Sequence, residues 1–276
     1  MQFPLFVLPF DHRTGFAKEL LAAPYPLAAT KAKQAKALKM IIFEAFLRAP
    51  KLLKSPHHLA MLVDEDLGTE IIPKAKKAKV TLIIPVEKSG GIFAFEHGSK
   101  FAARLKKVQP DIAKALVRYN LGDEGVNRLQ RSRLKELAAV CKAQKIPLML
   151  EVLLTNKGGN SETAVATMFA EFQSDGVQPD VWKLEGMDSA AAWKRLAPLA
   201  KAPIILLGRG ESKKDVETWV KAGAQSGQLA GFAIGRTIFL KPLQAFLAKK
   251  MTRKQAVDAI AENFVHFIRQ WERYAS

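Results

Sequence analysis

The fold of this chain is decided by a pattern seen most clearly in Val181-Trp182-Lys183-Leu184-Glu185-Gly186. This segment predicts a short strand that carries a lysine and ends at a glycine, and a helical pattern begins soon afterwards, near Asp188. A lysine near the end of a buried strand either pairs with an anion or loses its proton, and a neutral amine can attack a carbonyl carbon. A solvated lysine at a strand end is the alternative that this segment alone leaves open.

Apolar, β-rich runs of this kind occur eight times, and a longer amphipathic run follows each one. The predicted strands cover residues 3–10, 59–63, 80–86, 113–117, 147–154, 181–184, 203–207 and 231–234. The predicted helices cover about 30–47, 68–78, 98–108, 124–144, a run that opens at 161–163, a run from about 188, 213–222, and a tail at 243–274 in two pieces, the second capped by Thr252. Residues 157–160 predict a loop.

Alternating strands and helices predict a parallel sheet, because parallel neighbours need a helical crossover. Eight such units in 276 residues match the size of a (β/α)8 TIM barrel, an α/β fold. A doubly wound open sheet is the alternative, and it normally has a glycine-rich turn after its first strand. Asp11-His12-Arg13 occupies that position here, which favours the barrel. We therefore expect residues 1–276 to form a single barrel domain.

The composition narrows the class of protein. No apolar run reaches the ~18–20 residues that a membrane span requires, so no membrane partner is expected. The single cysteine, Cys141, excludes an internal disulfide and is typical of a cytoplasmic protein. The net charge of +17 favours an anionic partner. Lysines cluster at residues 31–39 and 74–79, and aromatic residues do not interleave with them, so no specific nucleic acid is expected as a partner. The composition leaves open whether the protein forms a homo-oligomer.

Ionisable residues lie at the carboxyl ends of nearly all the predicted strands. In a barrel these ends converge on one face, where barrel enzymes have their active sites. Strand ends that merely reach solvent would explain any one of these residues, but they explain less well several that are embedded in apolar sequence. The residues are Asp11, His12, Arg13, Asp64, Glu87, Lys88, Arg118, Glu151, Lys183, Arg209 and Arg236.

Glu151 is the partner expected for Lys183. It lies within an apolar strand, so its carboxylate must be paired or have a raised pKa. It could hold Lys183 by charge or carry protons to and from it, or it could form a salt bridge to a neighbouring strand instead. Lys88 is the rival nucleophile. It follows Glu87 directly, so only one of these two side chains should point into the barrel.

Glycine and arginine follow the seventh and eighth predicted strands, at Gly208-Arg209-Gly210 and Gly235-Arg236. Barrel enzymes often bind phosphate at these two positions, through glycine amides, a helix N-terminus and a basic side chain. The pair of motifs therefore predicts a phosphate site. Ordinary turn glycines are the alternative.

The histidines give no metal-binding pattern. His57 and His58 are adjacent and cannot face the same way on a strand. Asp64 and Asp66 could contact a cation, but no ligand set with a recognisable spacing accompanies them. A mechanism based on an amine nucleophile needs neither a metal nor a cofactor, and we expect none.

Six motifs fall in order along nearly the whole chain: Leu8-Pro9-Phe10-Asp11-His12-Arg13, Leu62-Val63-Asp64-Glu65, Pro85-Val86-Glu87-Lys88-Ser89-Gly90, Leu116-Val117-Arg118-Tyr119-Asn120, Trp182-Lys183-Leu184-Glu185-Gly186 and Ile234-Gly235-Arg236-Thr237. Together they resemble the class I aldolase domain often fused behind 5-dehydro-2-deoxygluconokinase in bacterial inositol catabolism. More distantly they resemble tagatose-bisphosphate aldolase and the sulfofructose-phosphate aldolases.

This resemblance implies a (β/α)8 barrel whose strand-six lysine, here Lys183, forms a Schiff base with a keto-sugar phosphate substrate. It implies that Glu151 assists proton transfer and that Gly235-Arg236 binds phosphate. A strand-four lysine of the tagatose enzymes matches Lys114, although the surrounding residues differ. The reaction implied is cleavage of 6-phospho-5-dehydro-2-deoxygluconate to dihydroxyacetone phosphate and malonate semialdehyde. An aldolase for another ketose phosphate or bisphosphate, and a non-catalytic barrel that binds polyanions, are the alternatives.

The site expected from the sequence has three parts. Lys183 and Glu151 are the catalytic residues. The substrate-binding residues are Asp11, Arg13, Asp64, Glu87, Lys88 and Arg118, and the phosphate-binding residues are Gly208, Arg209, Gly210, Gly235 and Arg236.

Overall fold

Eight parallel strands close into a barrel in the computed structural model, which describes residues 1–156 and 159–275. The strands follow one another around the barrel in chain order, which confirms the predicted fold. They are β1 (Leu5–Pro9), β2 (His58–Leu62), β3 (Thr81–Pro85), β4 (Ile112–Tyr119), β5 (Leu148–Leu154), β6 (Val181–Glu185), β7 (Ile204–Leu207) and β8 (Gly231–Ala233). Lys157 and Gly158 of the predicted loop lie outside the described residues.

The helices surround the barrel and connect its strands. Each of the eight predicted helical segments matches a single helix or, for the tail, two helices. The ends differ by a few residues, and the first helix of the tail begins at Arg236, seven residues before the predicted start. The helices are α1 (Thr14–Leu21), α2 (Ala29–Arg48), α3 (Ile71–Lys77), α4 (Phe101–Val108), α5 (Glu124–Gln144), α6 (Glu162–Ser174), α7 (Ala190–Ala200), α8 (Lys213–Ser226), α9 (Arg236–Leu247) and α10 (Arg253–Tyr274). None of the helices in the described residues is both long and apolar enough to cross a membrane.

Two features differ from the sequence prediction. A helix at the start of the first crossover, α1, was not expected, because its eight residues give too short a pattern to separate from a loop. The other is α4, where a 3₁₀ turn at Gly98–Lys100 replaces the first predicted turn of α-helix. At the tail, Thr252 and Gln255 form a capping box, as the predicted cap requires.

The barrel interior and the layer between barrel and helices are two separate apolar clusters. Side chains alternate along each strand, so one set fills the barrel and the other packs under the helices. The barrel interior contains Leu5, Val7, Ala60, Leu62, Ile83, Ile112, Met149, Val181, Ile205 and Ala233. Most of these residues lie in the first or middle part of their strands, and Leu62 and Ala233 end β2 and β8. The charged residues that follow them open onto the carboxyl-end mouth.

Candidate active site

A cavity of about 290 Å³ lies at the mouth of the barrel, over the carboxyl ends of its strands. Larger cavities exist elsewhere among the described residues, but the one of about 640 Å³ lies at the opposite end, where β5 and β6 begin. The mouth cavity is the one that gathers ionisable groups from several strands, as barrel active sites do. Its lining contains Asp11, His12, Arg13, Thr14, Gly15, Glu87, Lys88, Ser89, Gly90, Lys114, Leu116, Arg118, Glu151 and Lys183.

Lys183 and Glu151 face each other across neighbouring strands. Val181 belongs to the barrel interior, so Lys183, two residues further along β6, points the same way. Glu151 is its register partner on β5. The Nζ of Lys183 donates a hydrogen bond of 2.8 Å to Oε2 of Glu151, and the Lys183 residue is only 3% exposed. A buried amine is thus held in contact with a buried carboxylate at the base of the cavity.

Lys114 is a second buried amine beside this pair. Its Nζ lies 2.8 Å from the same Oε2 of Glu151, 2.6 Å from Oε1 of Glu87 and 3.0 Å from Oδ2 of Asp11. It therefore joins carboxylates from three other parts of the barrel. The resemblance to the tagatose enzymes matched Lys114 to a strand-four lysine, but the predicted site residues do not include it. The signal in the sequence itself is a lysine between Ala113 and Ala115, inside the otherwise apolar run 113–117.

Three carboxylates and two amines give this cluster an excess of one negative charge when all are ionised. Burial alone raises the pKa of Asp11, but Lys114, His12 and Lys183 outweigh it, so the pKa lies below its usual range. Burial also opposes ionisation of Glu151. The charges of Lys114 and Lys183 outweigh this effect and hold the pKa of Glu151 below its usual value. The pKa of Glu87 is raised by burial in spite of Lys114. A proton that neutralises the excess negative charge of the cluster therefore binds most readily to Glu87.

Burial disfavours the charged form of Lys114 as well. The charges of Asp11, Glu151 and Glu87 outweigh it and hold the pKa of Lys114 well above its ordinary value. Lys114 consequently stays an ammonium group. It is a fixed positive charge on one side of Glu151, with Lys183 on the other.

His12 lies at the edge of this cluster. Its Nδ1 is 3.9 Å from Oδ1 of Asp11, and its ring meets the ring of Phe239 edge-on, with centroids 6.4 Å apart. Burial and the positive charges of Arg236 and Lys183 lower the pKa of His12 to about 4, against the opposing effect of Asp11. The imidazole is therefore neutral near pH 7.

Arg13 and Glu87 connect the cluster to the loop after β3. Arg13 donates from Nη1 to Oε2 of Glu96 and from Nη2 to the carbonyl oxygen of Glu87, each at 2.6 Å. Arg13 is 7% exposed, so its contact with the Glu87 carbonyl is buried, while the contact with the half-exposed Glu96 is partly buried. It lines the cavity, but its guanidinium is already engaged in holding this loop.

Lys88 and Arg118 lie at the rim of the cavity, where both are exposed. Of the two neighbours Glu87 and Lys88, Glu87 points inward and contacts Lys114, and Lys88 points outward to the rim. Within residues 1–156 and 159–275, the side chains of Lys88 and Arg118 form no ion pair. They are the two cationic groups of the rim that can receive an anion without breaking an existing contact.

Asp64 is a predicted substrate-binding residue that does not line the cavity. It is 1% exposed, forms a buried ion pair with Lys39 of α2, and accepts a hydrogen bond of 2.8 Å from the backbone N–H of Leu67. The Lys39 amine also lies 5.3 Å from the centre of the Phe16 ring. These contacts tie the end of β2 to α1 and α2, so the geometry gives Asp64 a structural role.

The loops after β7 and β8 interlock at the opposite rim. Arg236 donates to Oε1 of Glu19 at 2.8 Å and to the carbonyl oxygen of Arg209, and its guanidinium packs directly against Gly210. Arg209 pairs with Oε2 of Glu185 at 2.5 Å. Gly235 is equally constrained, because a Cβ there would lie 2.2 Å from the carbonyl oxygen of Pro9. The predicted phosphate residues lie together in space, but both arginines are paired with carboxylates.

A separate cavity of about 380 Å³ opens beside these loops. Gly210, Ser212, Lys213, Arg236, Thr237 and Lys241 line it, among others. It lies at the N-termini of α8 and α9, where backbone N–H groups and the helix dipole favour an anion. Gly208 is not part of its lining. In the described part of the chain, no group of three or more His, Cys, Asp and Glu side chains could hold a metal ion.

The sequence matches the model of a family described as uncharacterized proteins conserved in bacteria, DUF2090, over residues 2–275. The chain belongs to this family. It is also 30% identical over 159 residues to tagatose 1,6-diphosphate aldolase 1 from Streptococcus mutans, a match that covers 53% of this chain. The match spans 44% of that relative, less than half of its length.

Solved structures of aldolases share the barrel. A fructose-bisphosphate aldolase from Plasmodium falciparum gives a TM-score of 0.67 at 13% identity, with 100% of this chain and 92% of that chain covered. A Schiff-base-forming fructose-1,6-bisphosphate aldolase gives a TM-score of 0.56 at 14% identity, with 94% and 93% covered. At 13% and 14% identity, these similarities show only that this DUF2090 member has the same barrel fold.

Proposed function

We propose that this protein is a Schiff-base aldolase that cleaves a keto-sugar phosphate, with Lys183 as the nucleophile. The observation that carries the proposal is the Lys183 amine, buried at the base of the mouth cavity and 2.8 Å from Glu151, with Lys114 on the same carboxylate oxygen. A buried amine next to a proton carrier and open to a cavity is the arrangement that attack on a ketone requires. Similarity to a tagatose 1,6-diphosphate aldolase supports the same chemistry.

The chemistry begins when the neutral amine of Lys183 attacks the substrate ketone. Loss of water gives an iminium ion, which withdraws electrons from the carbon–carbon bond that breaks. Glu151 contacts the Lys183 nitrogen and can carry protons during formation and hydrolysis of the Schiff base. Lys114 holds Glu151, Glu87 and Asp11 in position and keeps Glu151 ionised.

The charged groups around the cavity favour a substrate with an anion at each end. Lys88 and Arg118 can bind one anionic group at the β3–β4 rim. Arg236, with the glycine amides and the start of α9, can bind a phosphate at the β7–β8 rim once its contact with Glu19 opens. A substrate with a carboxylate at one end and a phosphate at the other fits this distribution. We therefore propose cleavage of 6-phospho-5-dehydro-2-deoxygluconate to dihydroxyacetone phosphate and malonate semialdehyde.

A ketose bisphosphate of the tagatose type is the second candidate, and the similarity to the Streptococcus mutans enzyme favours it. Rates of cleavage with the two compounds separate these candidates. The carboxylate-bearing substrate should be preferred, and Arg118→Gln should weaken its binding more than that of dihydroxyacetone phosphate.

Borohydride reduction in the presence of dihydroxyacetone phosphate tests the chemistry directly. We expect a stable adduct on Lys183, identified by peptide mass spectrometry, and no adduct in Lys183→Ala. Lys88→Ala is the matched control, because it removes a lysine of the same cavity and should still trap the ligand at Lys183. An adduct on Lys88, or full aldolase activity in Lys183→Ala, would contradict the proposal.

A further inference from the structure

His12 is an ionisable group of the mouth cavity to which the proposed reaction assigns no task. Its side chain is 32% exposed and lines the cavity, so one edge of the ring faces the space where a substrate would bind. The other edge carries Nδ1, which is buried and has no hydrogen-bond partner within residues 1–156 and 159–275. Phe239 packs edge-on against the ring.

Charged groups from four elements act on this imidazole. Asp11 precedes it at the end of β1, Glu151 lies on β5, Lys183 lies on β6, and Arg236 begins α9. The ring therefore lines the same cavity as the amine proposed to carry the substrate, and it also senses the charge of the arginine proposed to bind the phosphate. The substrate hydroxyl that loses its proton lies two carbons from the ketone carbon, so a base that lines the same cavity as Lys183 can reach it.

We propose that His12 is a further catalytic residue of the aldolase reaction, the base that takes the proton from the substrate hydroxyl when the carbon–carbon bond breaks. This inference rests on the proposed function of the cavity. The Nδ1 edge of the ring is 3.9 Å from Oδ1 of Asp11, a separation that a small movement of the ring closes to a hydrogen bond. A proton on Nδ1, held by Asp11, leaves Nε2 as the basic nitrogen towards the cavity.

The step balances in protons and electrons. The substrate O–H bond breaks, its proton passes to Nε2 of His12, and the oxygen forms the carbonyl group of the departing aldehyde. The electrons of the broken carbon–carbon bond move towards the iminium carbon, which gives a neutral enamine on Lys183. In the direction of synthesis, protonated His12 returns the proton to the new hydroxyl group.

The surrounding charges assist this transfer. Before cleavage, burial and the positive charges of Lys183 and Arg236 keep His12 unprotonated, so it is available as a base. Cleavage converts the iminium on Lys183 into a neutral enamine and removes one of those positive charges. The affinity of His12 for a proton then rises at the moment at which it receives one. Glu151, which already contacts the nitrogens of Lys114 and Lys183, is left to serve the Schiff base.

The experiment compares trapping with cleavage in His12→Gln. Glutamine keeps a hydrogen-bonding side chain but cannot take up a proton. We expect borohydride to trap dihydroxyacetone phosphate on Lys183 as in the unmodified protein, and we expect kcat for cleavage of 6-phospho-5-dehydro-2-deoxygluconate or tagatose 1,6-bisphosphate, whichever the unmodified protein cleaves, to fall by about 100-fold or more. In His12→Ala, added imidazole should restore cleavage by at least about tenfold. His58→Gln, at the opposite end of the barrel beside Gln2, should behave as the unmodified protein.

The outcomes distinguish this inference from the function on which it rests. If the unmodified protein traps no dihydroxyacetone phosphate, the Schiff-base function fails and the role of His12 fails with it. If the unmodified protein traps the ligand and His12→Gln cleaves substrate within about threefold of the normal rate, only the role of His12 is wrong. Equal loss of trapping and cleavage in His12→Gln would also overturn the inference, because it would assign His12 to binding or to folding.

Discussion

At the scale of single residues, Lys114 is the group on which the buried charge cluster depends. It is 2% exposed and lies within 3.0 Å of carboxylate oxygens from Asp11, Glu87 and Glu151. Like charges so close together cannot all stay ionised in a region of low dielectric unless a cation lies between them. Lys114 supplies that cation, so its removal should alter both the stability of the fold and the protonation of the site.

We predict that Lys114→Met lowers the free energy of unfolding by about 3–5 kcal/mol at pH 7, because it leaves buried carboxylates without their principal partner. The lowered pKa values of Asp11 and Glu151 stabilise the native protein above the unfolded-state values, and this contribution is lost as pH falls through the folded-state values. In the variant both pKa values rise, so its deficit should be greatest at neutral pH and should shrink as pH falls towards 4.

Urea unfolding at several pH values measures this deficit. Lys107→Met, an exposed lysine of α4 with no ion pair among the described residues, serves as the control and should change stability by less than about 0.5 kcal/mol at every pH. A Lys114→Met deficit that did not depend on pH would mean that lost packing, and not charge, is responsible.

At the scale of elements, hydrophobic periodicity was sufficient to predict the barrel. All eight strands and, apart from α1, the helices between them produce long or repeated apolar patterns, and parallel pairing follows from the helical crossovers. The residues of the mouth were predictable for the same reason, because strand ends in a barrel converge. Apart from the Glu151–Lys183 pair, the sequence could not provide the pairing of side chains between elements. Asp64 is held away from the cavity by its ion pair with Lys39, a residue of α2. Nothing in the sequence around Lys39 indicates that Asp64 is its partner.

The closure between β8 and β1 depends on a glycine for a reason that sequence alone does not reveal. Gly231 has a φ of +127°, and a Cβ there would lie 2.1 Å from the carbonyl oxygen of Leu5. Leu5 and Gly231 are register partners, so the two backbones meet where the barrel closes. We predict that Gly231→Ala lowers the free energy of unfolding by at least about 3 kcal/mol, because neither backbone can move without opening this seam.

Gly227→Ala is the matched control for this prediction. Gly227 also has a positive φ, +65°, but nothing lies within 4 Å of its Cβ position at the end of α8. It should lose only about 1 kcal/mol from backbone strain. Equal losses in the two variants, measured by urea unfolding, would show that strain rather than backbone crowding accounts for the effect at Gly231.

At the scale of the whole molecule, the fold brings two lysine-rich segments together. Residues 31–39 lie on α2 and residues 74–79 on and after α3, and the Lys74 amine lies 3.9 Å from the sulfur of Met40. The exposed lysines of these segments form no ion pair with the described residues. Together with the net charge of +17, this arrangement creates repulsion within the folded protein that unfolding relieves.

Salt should therefore stabilise the protein. Between about 0.01 M and 0.1 M ionic strength the Debye length falls from about 30 Å to about 10 Å, which screens repulsion across most of the surface. We predict that sodium chloride over this range raises the free energy of unfolding by about 1 kcal/mol, seen as a rise in Tm of about 2–4 °C.

Replacing Lys31, Lys33, Lys74 and Lys77 by glutamate removes two units of charge at each position and lowers the net charge from +17 to +9. This variant should have a higher Tm at low salt and a smaller response to sodium chloride, because less repulsion remains to be screened. An undiminished response would mean that chloride acts at a specific site, with the mouth of the barrel and its paired arginines as the first place to look.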